Sequence, residues 1–273
     1  MRVVSVIKDP HRFSKSHSSK IPKSVGGFVL DNMKSTLHTK KRYNPYTNIK
    51  SVKEKNDIRK FRKQMKELTL DDERIMIREH EREQVKAPRA MMIMYNITCW
   101  TMDLIYKDKP IDRFWMLETV ARQPYFSYVT MLHIYETLGW WGIDGELRKQ
   151  HAEQEYNETL HLQIMESMGA DRLWWNRFLA RHLSIAYFVT LIIFYLFSPR
   201  MAYLSSELLE RHAVDTYDQF CEENETVLKG MQCTESALFY NNNAINMYDI
   251  FKEISKDENN HADNMEIIKE LPN

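Results

Sequence analysis

Asn157-Glu158-Thr159-Leu160-His161 and Asp257-Glu258-Asn259-Asn260-His261 are the stretches whose reading decides the fold. Each sets a histidine three residues after a glutamate, an order and spacing that none of the chain's other histidines shares. On a helix, residues i and i+3 share a face, so a carboxylate and an imidazole can reach one point. One such pair alone is more often a surface ion pair than a ligand set. Here two pairs fall on separate helical blocks, and each is preceded along the chain by a block carrying a further glutamate. Glu118 stands in Phe114-Trp115-Met116-Leu117-Glu118-Thr119-Val120-Ala121, where a carboxylate must be paired, protonated or bound to a cation. The other candidates are Glu207 and Glu210, and the residues alone leave that choice open. The order Glu, Glu-x-x-His, Glu, Glu-x-x-His is that of four-helix bundles holding two iron or manganese ions. Ligands of mixed oxygen and nitrogen type suit iron or manganese better than a closed structural zinc site, so two metal ions are expected.

The fold expected around these ligands is all-α: a ferritin-like di-iron four-helix bundle with two additional apolar helices forming a membrane-interfacial face. Only seven glycines occur in 273 residues, and they punctuate long apolar blocks. The blocks read as helices over Ala87 to Tyr106, Ile111 to about Trp141, Glu146 to Met168, Asp171 to Phe197, Arg200 to about Glu223 and Ala244 to Ile268. Pro199 falls where proline is tolerated, at the start of a helix. Leu183 to Phe197 is the most apolar run, but at roughly fifteen residues it falls short of the ~20 that span a bilayer. It reads either as a buried core helix or as one lying in a membrane interface, and the Met- and Trp-rich block before Tyr106 poses the same choice.

The formal net charge is zero, yet the first 66 residues carry roughly fourteen more basic than acidic side chains and the remainder the opposite excess. Residues 1–66 accordingly read as a basic leader, disordered or an organelle transit segment, and 67–273 as the helical domain. Cys99, Cys221 and Cys233 form no CxxC pair or even-numbered framework, so neither a disulfide scaffold nor a zinc site is expected. Four more residues are placed toward the ligands by spacing. Tyr217 follows Glu210 by two helical turns and is either a redox partner or a satisfied core tyrosine. His133, fifteen residues after Glu118, reads as a proton relay or a core histidine. Asn157 and Asp257, each next to a ligand glutamate, either hydrogen-bond the ligands or sit on the helix surface.

Leu117-Glu118-Thr119-Val120-Ala121-Arg122, Asn157-Glu158-Thr159-Leu160-His161-Leu162, Arg211-His212-Ala213-Val214-Asp215-Thr216-Tyr217 and Asp257-Glu258-Asn259-Asn260-His261 together resemble the ligand motifs of the alternative oxidases, the cyanide-insensitive quinol oxidases. Trp174-Trp175-Asn176-Arg177-Phe178-Leu179-Ala180 and Ser198-Pro199-Arg200-Met201-Ala202-Tyr203 resemble the plastid terminal oxidases more than the mitochondrial branch. The stretch between Tyr217 and Glu258 is shorter than in plant plastid members. The resemblance selects Glu210 over Glu207, so the implied metal ligands are Glu118, Glu158, His161, Glu210, Glu258 and His261, and the implied cofactor is two Fe ions. It implies a redox-active role for Tyr217, a quinol pocket at Arg113, Leu117, Ala213 and Thr216, and a functional role for His133. The activity implied is a membrane-bound quinol:oxygen oxidoreductase that reduces oxygen to water without pumping protons, most simply with plastoquinol. The partners implied are a quinol, O2 and a membrane entered from one side, with a homodimer left open and no nucleic acid. A plastid thylakoid location follows, with the mitochondrial inner membrane as the alternative. Competing readings are a mitochondrial-type ubiquinol oxidase, a membrane-associated di-iron hydroxylase of quinone precursors, an iron store and a non-catalytic bundle.

Overall fold

A computed structural model describes residues 52–82, 84–139 and 145–269, and among these every regular element is helical. The chain divides into two units, Met1–Ile58 and Arg59–Asn273. Most of the basic leader, and the end of the block expected to reach Trp141, lie outside the described residues. Ten α-helices are described: α1 Val52–Met65, α2 Asp72–Glu81, α3 Arg89–Tyr106, α4 Pro110–Ala121, α5 Gln123–Leu138, α6 Gly145–Met168, α7 Trp174–Phe197, α8 Pro199–Lys229, α9 Glu235–Tyr240 and α10 Met247–Lys269. α1 includes the last part of the stretch read as leader, and its Phe61 and Met65 pack against the main core.

α4, α6, α8 and α10 form the bundle that carries the motifs. α6 buries Leu147, His151, Gln154, Glu158, His161, Met165 and Met168, a run of three- and four-residue steps that winds one stripe along the helix. α10 does the same through Met247, Ile250, Ile254, Glu258, His261, Met265 and Ile268. Phe114, Tyr217, Phe220 and Phe251 interlock at the centre, with Phe114 stacked on Tyr217 at 4.1 Å. α2 is clamped along α8 by Arg78 to Gln219 (2.8 Å) and Arg82 to Asp215 (2.9 Å), and Asp71 caps its first turn.

Two expectations change. The block from Ile111 is not one helix: it breaks at Arg122, because Pro124 in the first turn of α5 has no N–H to give the Val120 carbonyl. α5 ends at Gly139, whose φ of +69° is the left-handed conformation glycine adopts at least cost. The apolar run ending at Phe197 is expected to fall short of a membrane span, yet the helix that carries it does not. α7 spans 24 residues and is long and apolar enough, by length and composition, to cross a membrane. It buries Asn176, Ala180, Ser184, Leu191 and Tyr195 against the bundle from its first turn to its last. Its other face, with Trp174, Phe178, Ile185, Val189, Ile193 and Leu196, is exposed. α3 similarly exposes Ile93, Ile97, Trp100 and Leu104.

Candidate metal centre

Glu118 on α4, Glu158 and His161 on α6, Glu210 on α8, and Glu258 and His261 on α10 converge inside the bundle, and each is at most 4 % exposed. Their ligand atoms fall into two groups, each within 4.8 Å: Glu118, Glu158, His161 and Glu258 in one, and Glu158, Glu210, Glu258 and His261 in the other. Glu158 and Glu258 belong to both. The arrangement is that of two adjacent cation sites sharing two carboxylates, each completed by one further glutamate and one histidine. Glu207, the other candidate, points elsewhere and takes an ion pair from Lys269 at 2.6 Å.

Four carboxylates in so small and dry a space cannot all be charged without compensation. Burial, reinforced by the neighbouring carboxylates, pushes the Glu158 and Glu210 carboxyls well above the usual range and raises Glu258 too. Burial holds the His261 imidazole down to about 3. It opposes charge on His161 as well, but Asp257, Glu118 and Glu258 outweigh it and raise that group. Both oxygens of Glu158, one each of Glu118 and Glu210, His161 Nε2 and His261 Nδ1 lack a hydrogen-bond partner. His261 Nδ1 lies 2.6 Å from Glu158 Oε1 without the alignment of a hydrogen bond. Buried polar atoms left this way are rare unless something else satisfies them. The donor set fits a pair of iron or manganese ions.

The surrounding residues divide. Tyr217, fully buried, donates its hydroxyl hydrogen to Glu118. Asp257 Oδ2 accepts from Asn157 (2.8 Å) and Tyr240 (2.6 Å) and lies 3.5 Å from His161 Nε2, so Asp257 stands beside His161 and Asn157 reaches it only through Asp257. His133 does not: it is exposed on α5. The break before Pro124 ends the continuous helix, so a fifteen-residue spacing from Glu118 no longer sets His133 on the ligand face.

A cavity of ≈ 210 Å³ opens between α3, α4, α7 and α8 and reaches Glu118, Glu210 and Glu258 at its inner end. Leu117 and Ala213 line it, whereas Arg113 and Thr216 are not among its lining residues. Arg113 is 2 % exposed and pairs with Asp72 (2.6 Å) and Asp103 (2.8 Å), with His212 Nε2 3.2 Å away. The Thr216 hydroxyl donates to the His212 carbonyl. Sequence spacing missed Tyr125, whose hydroxyl is 3.4 Å from Glu210 Oε1, because the helix break intervenes. It missed Tyr240 because nothing periodic marks the short helix α9. It missed Glu79, which pairs with His212 from 133 residues away.

With the geometry in view, comparison with known proteins gives a consistent picture. The model of the family described as alternative oxidase matches residues 68–270. The chain is 37 % identical over 191 residues to ubiquinol oxidase 4, chloroplastic/chromoplastic, of Arabidopsis thaliana, covering 62 % of this chain and 54 % of that one. It is 28 % identical over 124 residues to the mitochondrial ubiquinol oxidase 1c of Arabidopsis thaliana, covering 45 % and 37 %. A mitochondrial ubiquinol oxidase 2 of Glycine max is also 28 % identical over 124 residues, again covering 45 % and 37 %. The chain thus spans about half the length of the chloroplastic relative it matches.

Proposed function

Because the chain belongs to the alternative oxidase family, we propose that it is a quinol oxidase, passing the electrons of two quinols to one O2 to give water. The observation that carries this reading is the pair of ligand groups sharing Glu158 and Glu258 at the inner end of an apolar cavity. Glu118 and His161 would hold one iron ion, Glu210 and His261 the other, with Glu158 and Glu258 between them. When bound, the iron pair supplies the electron transfer to oxygen that no side chain here can perform.

The chain's own residues supply the setting. Met91, Met94, Met102, Met116, Leu117 and Leu183 give the cavity an apolar wall suited to a quinol ring and its isoprenoid tail, and they keep water from the centre. Tyr217 keeps a hydroxyl on Glu118, within reach of the reaction, and its stacking on Phe114 fixes the ring. Asp257 lies 3.5 Å from Nε2 of His161 while Nδ1 of the same ring faces Glu258 at 3.1 Å, so an anion there favours the tautomer in which Nδ1 is free to hold iron.

The exposed apolar faces of α3 and α7 flank the cavity, and we assign them to one leaflet of a membrane, from which the quinol enters. α7 has the length to cross, but its buried stripe runs its whole length, so a crossing would carry the charged bundle into the bilayer. The protein is therefore monotopic over the described residues, a setting in which quinol oxidation proceeds without proton pumping. The chloroplastic/chromoplastic relative supports a plastid membrane as location, and on that location rests the choice of plastoquinol as substrate, although that relative is named a ubiquinol oxidase.

The test is oxygen uptake by membranes containing the protein, supplied separately with plastoquinol and ubiquinol analogues, with and without cyanide. Cyanide-insensitive uptake, fastest with the plastoquinol analogue and abolished in Glu118→Ala, is expected. Tyr217→Phe should keep its iron and lose most turnover. Conversion of a labelled quinone precursor to a hydroxylated product, with no quinol-driven uptake, would favour a hydroxylase instead.

A further inference from the structure

Each quinol oxidised gives up two protons as well as two electrons, and the cavity wall is apolar almost throughout. The hydroxyls of Thr98 and Thr190, both on that wall, are turned back onto their own helices, donating to the carbonyls of Met94 and Ala186. Tyr187 and Ser205 face one another at 3.5 Å. Tyr95 on α3 differs from all of these. It lines the cavity, and its hydroxyl donates over 2.8 Å to Oε1 of Glu79, which comes from α2 outside the bundle. The Glu79 side chain keeps 20 % of its surface accessible to solvent. It is held in place by His212, whose Nδ1 is bonded to the same oxygen, while the Arg113 guanidinium lies against the opposite ring nitrogen. One hydrogen bond therefore separates the cavity from a carboxylate that water can reach.

Resting on the reading of the chain as a quinol oxidase, we propose that Tyr95 and Glu79 are the proton outlet of the quinol cavity. The quinol O–H bond breaks as its proton passes to Tyr95 Oη. Tyr95 gives its own proton to Glu79 Oε1, and Glu79 releases it to water. The quinol's electrons go to oxygen, as in the activity proposed above, so the pair is neither oxidised nor reduced and ends each turnover as it began. Burial keeps the Tyr95 phenol firmly protonated, and a relay that takes one proton while giving another requires no free phenolate. On Glu79, burial favours the protonated form, but the His212 and Tyr95 hydrogen bonds outweigh it and hold the carboxyl below its usual range. It thus sheds a proton readily. Tyr95 is the catalytic member, touching the quinol; Glu79 acts through it as a positioning residue.

Tyr95→Phe removes one buried oxygen, and Glu79→Gln keeps the side chain's shape. The experiment compares both variants, their double and Glu79→Asp with the unaltered iron-loaded full chain in lipid vesicles. It measures kcat and KM for a quinol and the solvent deuterium isotope effect on kcat. Each single variant should lose at least about tenfold in kcat and the isotope effect should rise; Glu79→Gln should leave KM little changed, whereas Tyr95→Phe should also raise it through the lost quinol hydrogen bond. The double variant should be no slower than the slower single one, and Glu79→Asp should recover part of the rate. A second readout needs no metal: the metal-free chain should bind an apolar-tailed hydroquinone more tightly than its dimethyl ether, and Tyr95→Phe should erase most of that preference. If the unaltered chain oxidises quinol and both single variants keep their kcat, or if Tyr95→Phe changes KM alone, the outlet is elsewhere and the oxidase reading stands. If the unaltered chain oxidises no quinol, the oxidase reading fails and the outlet with it.

Discussion

Asp257 shows how much one side chain beside the ligands can fix. Burial works against its charge, but His161, Tyr240 and Asn157 together hold the carboxyl down at about 2, so it is an anion at any physiological pH. As an anion it can only accept, so it favours a proton on the Nε2 edge of His161, 3.5 Å away, and leaves Nδ1, which faces Glu258 at 3.1 Å, as the edge that would hold a cation. Asp257→Ala should weaken iron binding by about 10- to 100-fold, measured by titrating the metal-free chain; unchanged affinity would mean that packing alone orients His161. His151, a turn and more along α6 from the ligands, makes a different case. It is 1 % exposed, contacts Tyr203 at 3.0 Å, and burial pulls its imidazole down to about 3. The folded chain holds it neutral, whereas in the unfolded chain it titrates near the ordinary 6.5. Its contribution to stability is thus complete above that value and is lost as pH falls toward 3, at about 1.4 kcal/mol per pH unit for one proton. Urea unfolding at pH 7 and pH 5 should show this loss, and His151→Gln should flatten it; equal slopes in the two proteins would refute the assignment.

At the scale of the helix, α7 has two faces with different tasks. Ile185 and Leu196, 62 % and 56 % exposed, stand on the outer face, while Leu191 is fully buried on the inner one. Placing an apolar side chain of this size out of water contributes about 1.5–3 kcal/mol. The double variant Ile185→Glu, Leu196→Glu should therefore lower partition into lipid vesicles by about a hundredfold or more while its helical circular dichroism and melting stay as they were. Leu191→Glu should instead prevent folding, because a carboxylate there would be buried without a partner. Vesicle binding untouched by the double variant would remove α7 from the membrane face. The break between α4 and α5 is the other event at this scale. It frees α5 from the line of α4, so that Tyr125 reaches Glu210 while His133 turns to solvent.

For the molecule as a whole, the ligand cluster couples folding, charge and metal. With Glu158, Glu210 and Glu258 pushed upward by burial and by one another, the metal-free bundle retains protons that an ion pair would displace. Loading ferrous iron anaerobically into weakly buffered protein at neutral pH should release at least about one proton per chain, read with an indicator dye; no release would mean that the carboxylates were already ionised. The sequence by itself determined the helical bundle, the six candidate ligands up to the choice at Glu207 or Glu210, and the apolar character of two helices. These rest on local periodicity: a helix repeats every 3.6 residues, so residues three, four or seven apart share a face wherever the helix is unbroken, as Glu158 and His161 do. The tertiary structure alone decided what depends on contacts between distant segments. It set which carboxylates lie in both ligand groups, brought Tyr240 to Asp257 and Glu79 to Tyr95 and His212, and left Arg113 and Thr216 outside the cavity lining. It also placed His133 on the surface, because a spacing counted along the chain fixes direction only as far as the next proline.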